Sequence, residues 1–154
     1  VGTGAYDPWQ DAETRNDVDV VIDPALPLKR GDGWWIRALR AVVIRDGLHP
    51  THSRCVLAHE LVHVDLDDEQ LAVRGPDGTR QARRTENRAD RKAARRLVDI
   101  HDLVAAIATH PTDPAAVAHE LDVTAHMLRV RLEHLQPAER ELLAAAVLEV
   151  DAAA

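Results

Sequence analysis

The stretch His59-Glu60-Leu61-Val62-His63 constrains this chain more than any other. Residues four apart on a helix stand one turn above another on the same face, so His59 and His63 present two imidazoles to one point in space, with Glu60 beside them. The stretch follows Cys55-Val56-Leu57-Ala58 and is closed by Val64. A helix with that many apolar neighbours has to be buried, and polar side chains in a buried stripe need partners. HExxH is the ligand pair and general base of zinc peptidases. The same letters also arise by chance and on ordinary surface helices, so the rest of the chain has to decide.

Composition narrows the fold. The 154 residues suffice for one domain, or one with a small appendage. There is no Phe, one Tyr and three Trp, which leaves Leu, Val, Ile and Ala to fill the core and suits closely packed helices. One cysteine, Cys55, excludes an intramolecular disulfide, and no secretory apolar segment is seen at the N-terminus; the expected compartment is the cytoplasm. No apolar run approaches the roughly 18 residues of a membrane span.

Taken in order, residues 1–17 show no period and read as an N-terminal arm or irregular lead-in pinned by Tyr6 and Trp9. Residues 18–99 read as the core. Asp19–Asp23 is a β-branched run before Pro24, Lys29–Gly33 a turn, and Trp34–Ala38 and Leu39–Arg45 two more strands, giving a small, three-stranded, mostly antiparallel sheet. The two tryptophans read as sheet packing. A helix is expected from about Thr51 to Leu66, with Thr51 or Ser53 as N-cap. An acidic run, Asp65–Gln70, reads as solvated chain and Gly75–Gly78 as a loop. A second helix then runs from about Thr79 or Gln81 to Asp99. Its small face carries Ala82, Ala89, Ala93, Ala94 and Leu97, and its opposite face Arg83, Arg84, Arg88, Arg91, Lys92 and Arg95.

A zinc hydrolase needs three protein ligands and an open position for water. In the metzincin pattern the third ligand lies six residues after the second His with a Gly midway; here those positions are Glu69 and Leu66, and the pattern fails. Glu86, in Glu86-Asn87-Arg88-Ala89-Asp90, is the better candidate. A carboxylate with an Asp four residues later puts two acids on one face: Glu86 to bind metal, Asp90 to accept the free ring N–H of a ligating imidazole. The other reading of this pair is salt bridging to the surrounding arginines. His52, His101, His126 and Tyr6 are the donors on offer for an oxyanion, and Cys55, one turn before His59, reads as a buried small residue.

Arg54–His63 and Glu86–Ala94, behind a short three-stranded sheet, resemble the ImmA/IrrE-type metallopeptidases over roughly Asp19 to Val98. The resemblance implies an α+β, zincin-like fold with zinc on His59, His63 and Glu86, and Glu60 as general base. It also implies endopeptidase action on a helix-turn-helix transcriptional repressor, which relieves repression. The chain departs from the family pattern at Val62, where Gly is frequent, at Lys92, where an aromatic is common, and in lacking a Leu-Leu-Met-Pro continuation.

Residues 100–154 read as a helical segment packed on the core: Asp102–Thr109, Ala115–Leu121, Ala125–Leu135 and Pro137 to about Val150, with the last residues fraying. Ala118–Leu128 has a helix-turn-helix rhythm. A DNA reader needs cations for phosphates, and from Leu97 onward the chain has 3 basic and 10 acidic residues, whereas Val1–Arg96 holds 16 of each. DNA is therefore not the expected partner; a protein substrate is. Two rivals stand beside the enzyme reading: a catalytically idle repressor-binding regulator, and a DNA-binding regulator with a structural zinc. Retention of Glu60 argues against the first and the acidic tail against the second.

Overall fold

Ala41-Val42-Val43-Ile44 is apolar without polar alternation, which suits a strand covered on both faces. The computed structural model describes residues 5–26, 31–68 and 75–153, of which 75–78, 149–151 and 153 by their backbone only. In it this run forms β3 (Ala41–Arg45), and its first four residues are buried. β3 is the central strand: β1 (Asp19–Asp23) pairs with it in parallel, Val20 opposite Val42, and β2 (Gly33–Ile36) antiparallel, Trp35 opposite Val42. The sheet is thus mixed, where a mostly antiparallel one was expected. Consecutive strands β1 and β2 do not pair, because the most apolar strand takes the middle and the half-exposed β1 an edge.

The second expected strand stops early for a local reason. Arg37–Leu39 forms one 3₁₀ turn, and Arg40, at φ 51°, reverses the chain into β3. That left-handed residue is held by its guanidinium on Asp17 and over the Trp35 ring. Residues 8–14 also differ from the expected irregular arm. They form α1 (Pro8–Thr14), capped by Asp7, whose carboxylate accepts from the Trp9 N–H at 2.9 Å, with Pro8 at N1 where its missing N–H costs nothing. Seven residues are too few for a hydrophobic period to show.

The HExxH helix, α2 (Pro50–Leu66), is capped by His49 Nδ1, which accepts from the Thr51 N–H, in place of the expected Thr51 or Ser53. One face of α2 packs Leu57, Leu61 and Val64 with Trp35, Val42 and Ile44 of the sheet. Another packs Cys55, Ala58 and Val62 with Ala89, Ala93, Ala94 and Leu97 of α3 (Gly75–Leu97). Gly75–Gly78, read as a loop, is the first turn of α3, where Pro76 is tolerated. Of the expected Lys29–Gly33 turn, Lys29 and Arg30 lie outside the described residues, as do Glu69 and Gln70 of the acidic run.

The remaining helices are α4 (Ile100–Thr109), α5 (Pro114–Glu120), α6 (Ala125–Glu133) and α7 (Pro137–Ala153). Asp99, Asp113 and Thr124 cap the first three. Leu103, Ala106, Val117, Ala118, Met127 and Leu128 share one buried cluster with α2 and α3. Arg131 of α6 ties the end of α3 to the start of α7. Only 3 % exposed, it donates from Nε to the Val98 carbonyl at 2.9 Å and grips Glu139 with both terminal nitrogens at 3.0 and 2.8 Å. This satisfies an orphan carbonyl at the helix end and pairs a buried charge. The α7 helix runs through Ala153, past the expected end near Val150, in keeping with alanine's helix preference. Among the described residues, no helix is long and apolar enough to cross a membrane.

Strand β2 meets α2 at Gly33, where a Cβ would stand 2.5 Å from Val56 Cγ1 and 2.9 Å from Glu60 Cγ and Oε1. Gly33→Ala is therefore expected to push β2 off α2 and destabilise the fold by about 1–3 kcal/mol, as overpacking usually does. Urea unfolding of the two proteins checks this; an unchanged midpoint would contradict it.

Candidate metal centre

The small residues on α3 set the geometry of the site. Ala89, Ala93 and Ala94 are fully buried against α2, so the two helices approach closely and bring the inward carboxylates of α3 onto the histidines of α2. His59 Nε2 lies 3.0 Å from His63 Nε2 and 3.1 Å from Glu86 Oε2, and His63 Nε2 lies 3.5 Å from Glu86 Oε1. The two rings stand edge to face, with centroids 4.8 Å apart. His59, His63 and Glu86 thus offer three ligand atoms within 4.8 Å of one another, a group that could hold a metal ion. Ligands placed tetrahedrally at about 2.0–2.1 Å from one ion stand about 3.3 Å apart; the two imidazole nitrogens are near that spacing, and each has a different Glu86 oxygen at 3.1 or 3.5 Å.

The other ring nitrogens are engaged by acids. His59 Nδ1 donates to Asp90 Oδ1 at 2.8 Å, and His63 Nδ1 reaches Asp68 Oδ2 at a longer 3.4 Å. Asp68 is itself held by Arg88, at 2.8 and 3.1 Å. Each acid keeps a proton on Nδ1 and leaves Nε2 to face the shared point, the arrangement that orients ligating imidazoles. The acidic run therefore does more than solvate the chain. Asp67 turns back at φ 50° just past the end of α2, and this places Asp68 under His63.

Charge coupling follows from the crowding. Burial opposes a charge on His59, yet its hydrogen bonds to Asp90 and Glu86 and the nearby Glu60 outweigh burial and push its pKa up to about 10. Burial would likewise raise Glu86, but hydrogen bonds from His59 and His63 hold it down to about 2. Glu60 goes the other way: burial raises its pKa, against the pull of the two histidines and a hydrogen bond from the Trp35 backbone N–H. A carboxyl whose pKa is raised by burial accepts a proton more readily than an exposed one.

His59, Glu60, Glu86 and Asp90 open on one cleft of about 660 Å³, lined on the sheet side by Gly33 and on α2 also by His52, Cys55 and Val56, while His63 lies fully buried behind this wall. Thr124, His126 and Met127 close it from the C-terminal segment. Of the four donors considered from sequence, His52 and His126 line the cleft. Tyr6 is bonded to Asp11 at 2.6 Å, and His101 lies exposed at the start of α4, away from the lining. Gly33, Asp68 and Thr124 escaped the sequence reading. Only the Asp68 spacing, five residues after His63 at a helix end, was available as a signal.

A family model described as Peptidase_M78, IrrE N-terminal-like domain, matches residues 14–133. The chain belongs to that family. Among solved structures, this IrrE-like chain is similar to a Mycobacterium tuberculosis transcriptional regulator, at 22 % identity and a TM-score of 0.66. The alignment covers 91 % of the IrrE-like chain and 44 % of the regulator, so the chain spans less than half the length of that neighbour. The likeness supports the α+β, IrrE-like fold. No curated protein matches the chain.

The opposed shifts of His59 and Glu86 give a pH signature in metal-stripped protein. A raised histidine contributes stability fully below its unfolded value of 6.5 and loses it as pH rises to about 10; a lowered glutamate contributes fully above 4.5 and loses it as pH falls to about 2. The stability difference between wild type and Glu86→Gln should therefore be largest between 4.5 and 6.5 and shrink on both sides. Thermal unfolding in chelator across pH measures it; a difference independent of pH would contradict the coupling.

Proposed function

We propose that this chain is a zinc-dependent endopeptidase that hydrolyses a peptide bond in a protein substrate, a helix-turn-helix transcriptional repressor, and so relieves repression. The observation that carries the reading is the convergence of His59, His63 and Glu86 at the wall of a cleft that is also lined by the buried Glu60. His59, His63 and Glu86 would hold the ion. Bound zinc supplies Lewis acidity, which brings a water's pKa to about 7 and polarises a carbonyl.

The rest is the work of the chain's own side chains. Glu60 takes the proton of the attacking water and delivers it to the amine nitrogen as the carbon–oxygen bond forms and the carbon–nitrogen bond breaks. Asp90 and Asp68 keep the two rings aimed. The apolar parts of the cleft, Val56 and Met127, exclude water around the reacting bond.

The repressor substrate rests on family resemblance, and the mycobacterial neighbour, a transcriptional regulator, is in keeping with a regulatory setting. The buried free thiol of Cys55 suits a reducing compartment, and we place the reaction in the cytoplasm. The rival reading is an idle regulator that binds a repressor without cutting it.

Glu60→Gln separates the two. The enzyme reading predicts that wild type carries about one zinc per chain, a count that rests on three protein ligands. It also predicts that Glu60→Gln keeps the metal and loses cleavage by at least about 100-fold, whereas His63→Ala and Glu86→Ala lose the metal. Metal analysis and a cleavage assay on a candidate repressor check this. Metal retained in both ligand variants, or cleavage undiminished in Glu60→Gln, would overturn it.

A further inference from the structure

Asp90 serves two histidines. Its Oδ1 accepts from His59 Nδ1 at 2.8 Å, while its Oδ2 lies 2.9 Å from Nε2 of His126, which comes from α6 in the C-terminal segment. The other nitrogen of that ring, Nδ1, lies 3.1 Å from an Nη2 of Arg129. A guanidinium only donates, so His126 Nδ1 must be the accepting nitrogen and the ring proton must sit on Nε2, directed at Asp90. The directions of three hydrogen bonds are thereby settled: Arg129 to His126, His126 to Asp90, and His59 to Asp90. With both nitrogens committed, His126 has no proton left for a substrate, although its ring lines the cleft.

We propose that His126 is a positioning residue for the metal centre: it holds the Asp90 carboxylate in the orientation that aims the His59 ring, and so makes α6 part of the site. An Asp carboxylate on a helix can rotate about χ1 and χ2, and with one partner it would sample several orientations. Donors on both oxygens leave one. The inference rests on the reading of His59 as a ligand and extends it to a residue outside the HExxH and Glu86 motifs. It also gives the helix-turn-helix-like α5–α6 pair a role in this chain that calls for no nucleic acid.

The test is zinc affinity, measured by competition with a chromogenic chelator on the full chain. His126→Ala should bind zinc about tenfold more weakly, the lower end for partners that orient a ligand. His126→Gln, whose amide can donate to Asp90 and accept from Arg129, should restore most of the loss. In an Asp90→Asn background His126→Ala should change nothing further, because its path runs through Asp90. His126 is half exposed, so its replacement should leave the unfolding midpoint of metal-free protein in place.

Unchanged zinc affinity in His126→Ala would overturn the proposal, as would an equal loss in the Asp90→Asn background. A wild type that takes up no zinc would instead overturn the underlying metal site. One that binds zinc without cutting peptides would overturn the peptidase reading alone.

Discussion

The contact between α2 and α3 is the constraint on which the rest depends. Three alanines of α3, fully buried, let its axis come close enough to α2 for a glutamate and an aspartate to reach the imidazoles one helix away. Larger side chains at 89, 93 or 94 would separate the helices, and an ångström of separation would open the ligand triangle. The other helices and the sheet hold this pair. β2 and β3 cover one face of α2, and Arg131 fastens the end of α3 to α6 and α7.

Within that frame the site is built in layers of hydrogen-bond partners. Three ligand atoms face one point. Asp90 and Asp68 stand behind the two rings, Arg88 stands behind Asp68 and His126 behind Asp90, and Arg129 is bonded in turn to His126. Each layer fixes the orientation of the one before it. Without an ion, the cluster holds itself together by loading a proton onto His59. A metal held by His59 would displace that proton, which would link its affinity to pH.

Much of this was legible in the sequence, for physical reasons that differ by residue. The i, i+4 spacing of His59 and His63 and of Glu86 and Asp90 is a property of helices and survives any tertiary detail. The alanine face of α3 marked which side of that helix would be covered, and the exposed Arg83, Arg84, Arg88, Arg91, Lys92 and Arg95 confirm it. The sheet order was harder, because pairing depends on which strand is most deeply buried. The unbroken apolar run at 41–44 held that information, since a doubly covered strand must lie in the middle. The α1 helix and the Arg40 reversal were hidden because each depends on capping and left-handed geometry over a few residues. His126 was among the candidate donors, but its contact with Asp90, like that of Asp68 with His63, was hidden because it arises from where a distant helix and a chain reversal place these side chains.

The central claim is that two imidazoles and one carboxylate from α2 and α3 hold a zinc ion. X-ray absorption at the zinc edge of the metal-loaded chain tests it most directly. The account predicts a first shell of nitrogen and oxygen alone at about 2.0–2.1 Å, with the outer scattering of two imidazole rings. A sulfur neighbour at about 2.3 Å, which would put Cys55 on the metal, or a shell without imidazole would contradict it.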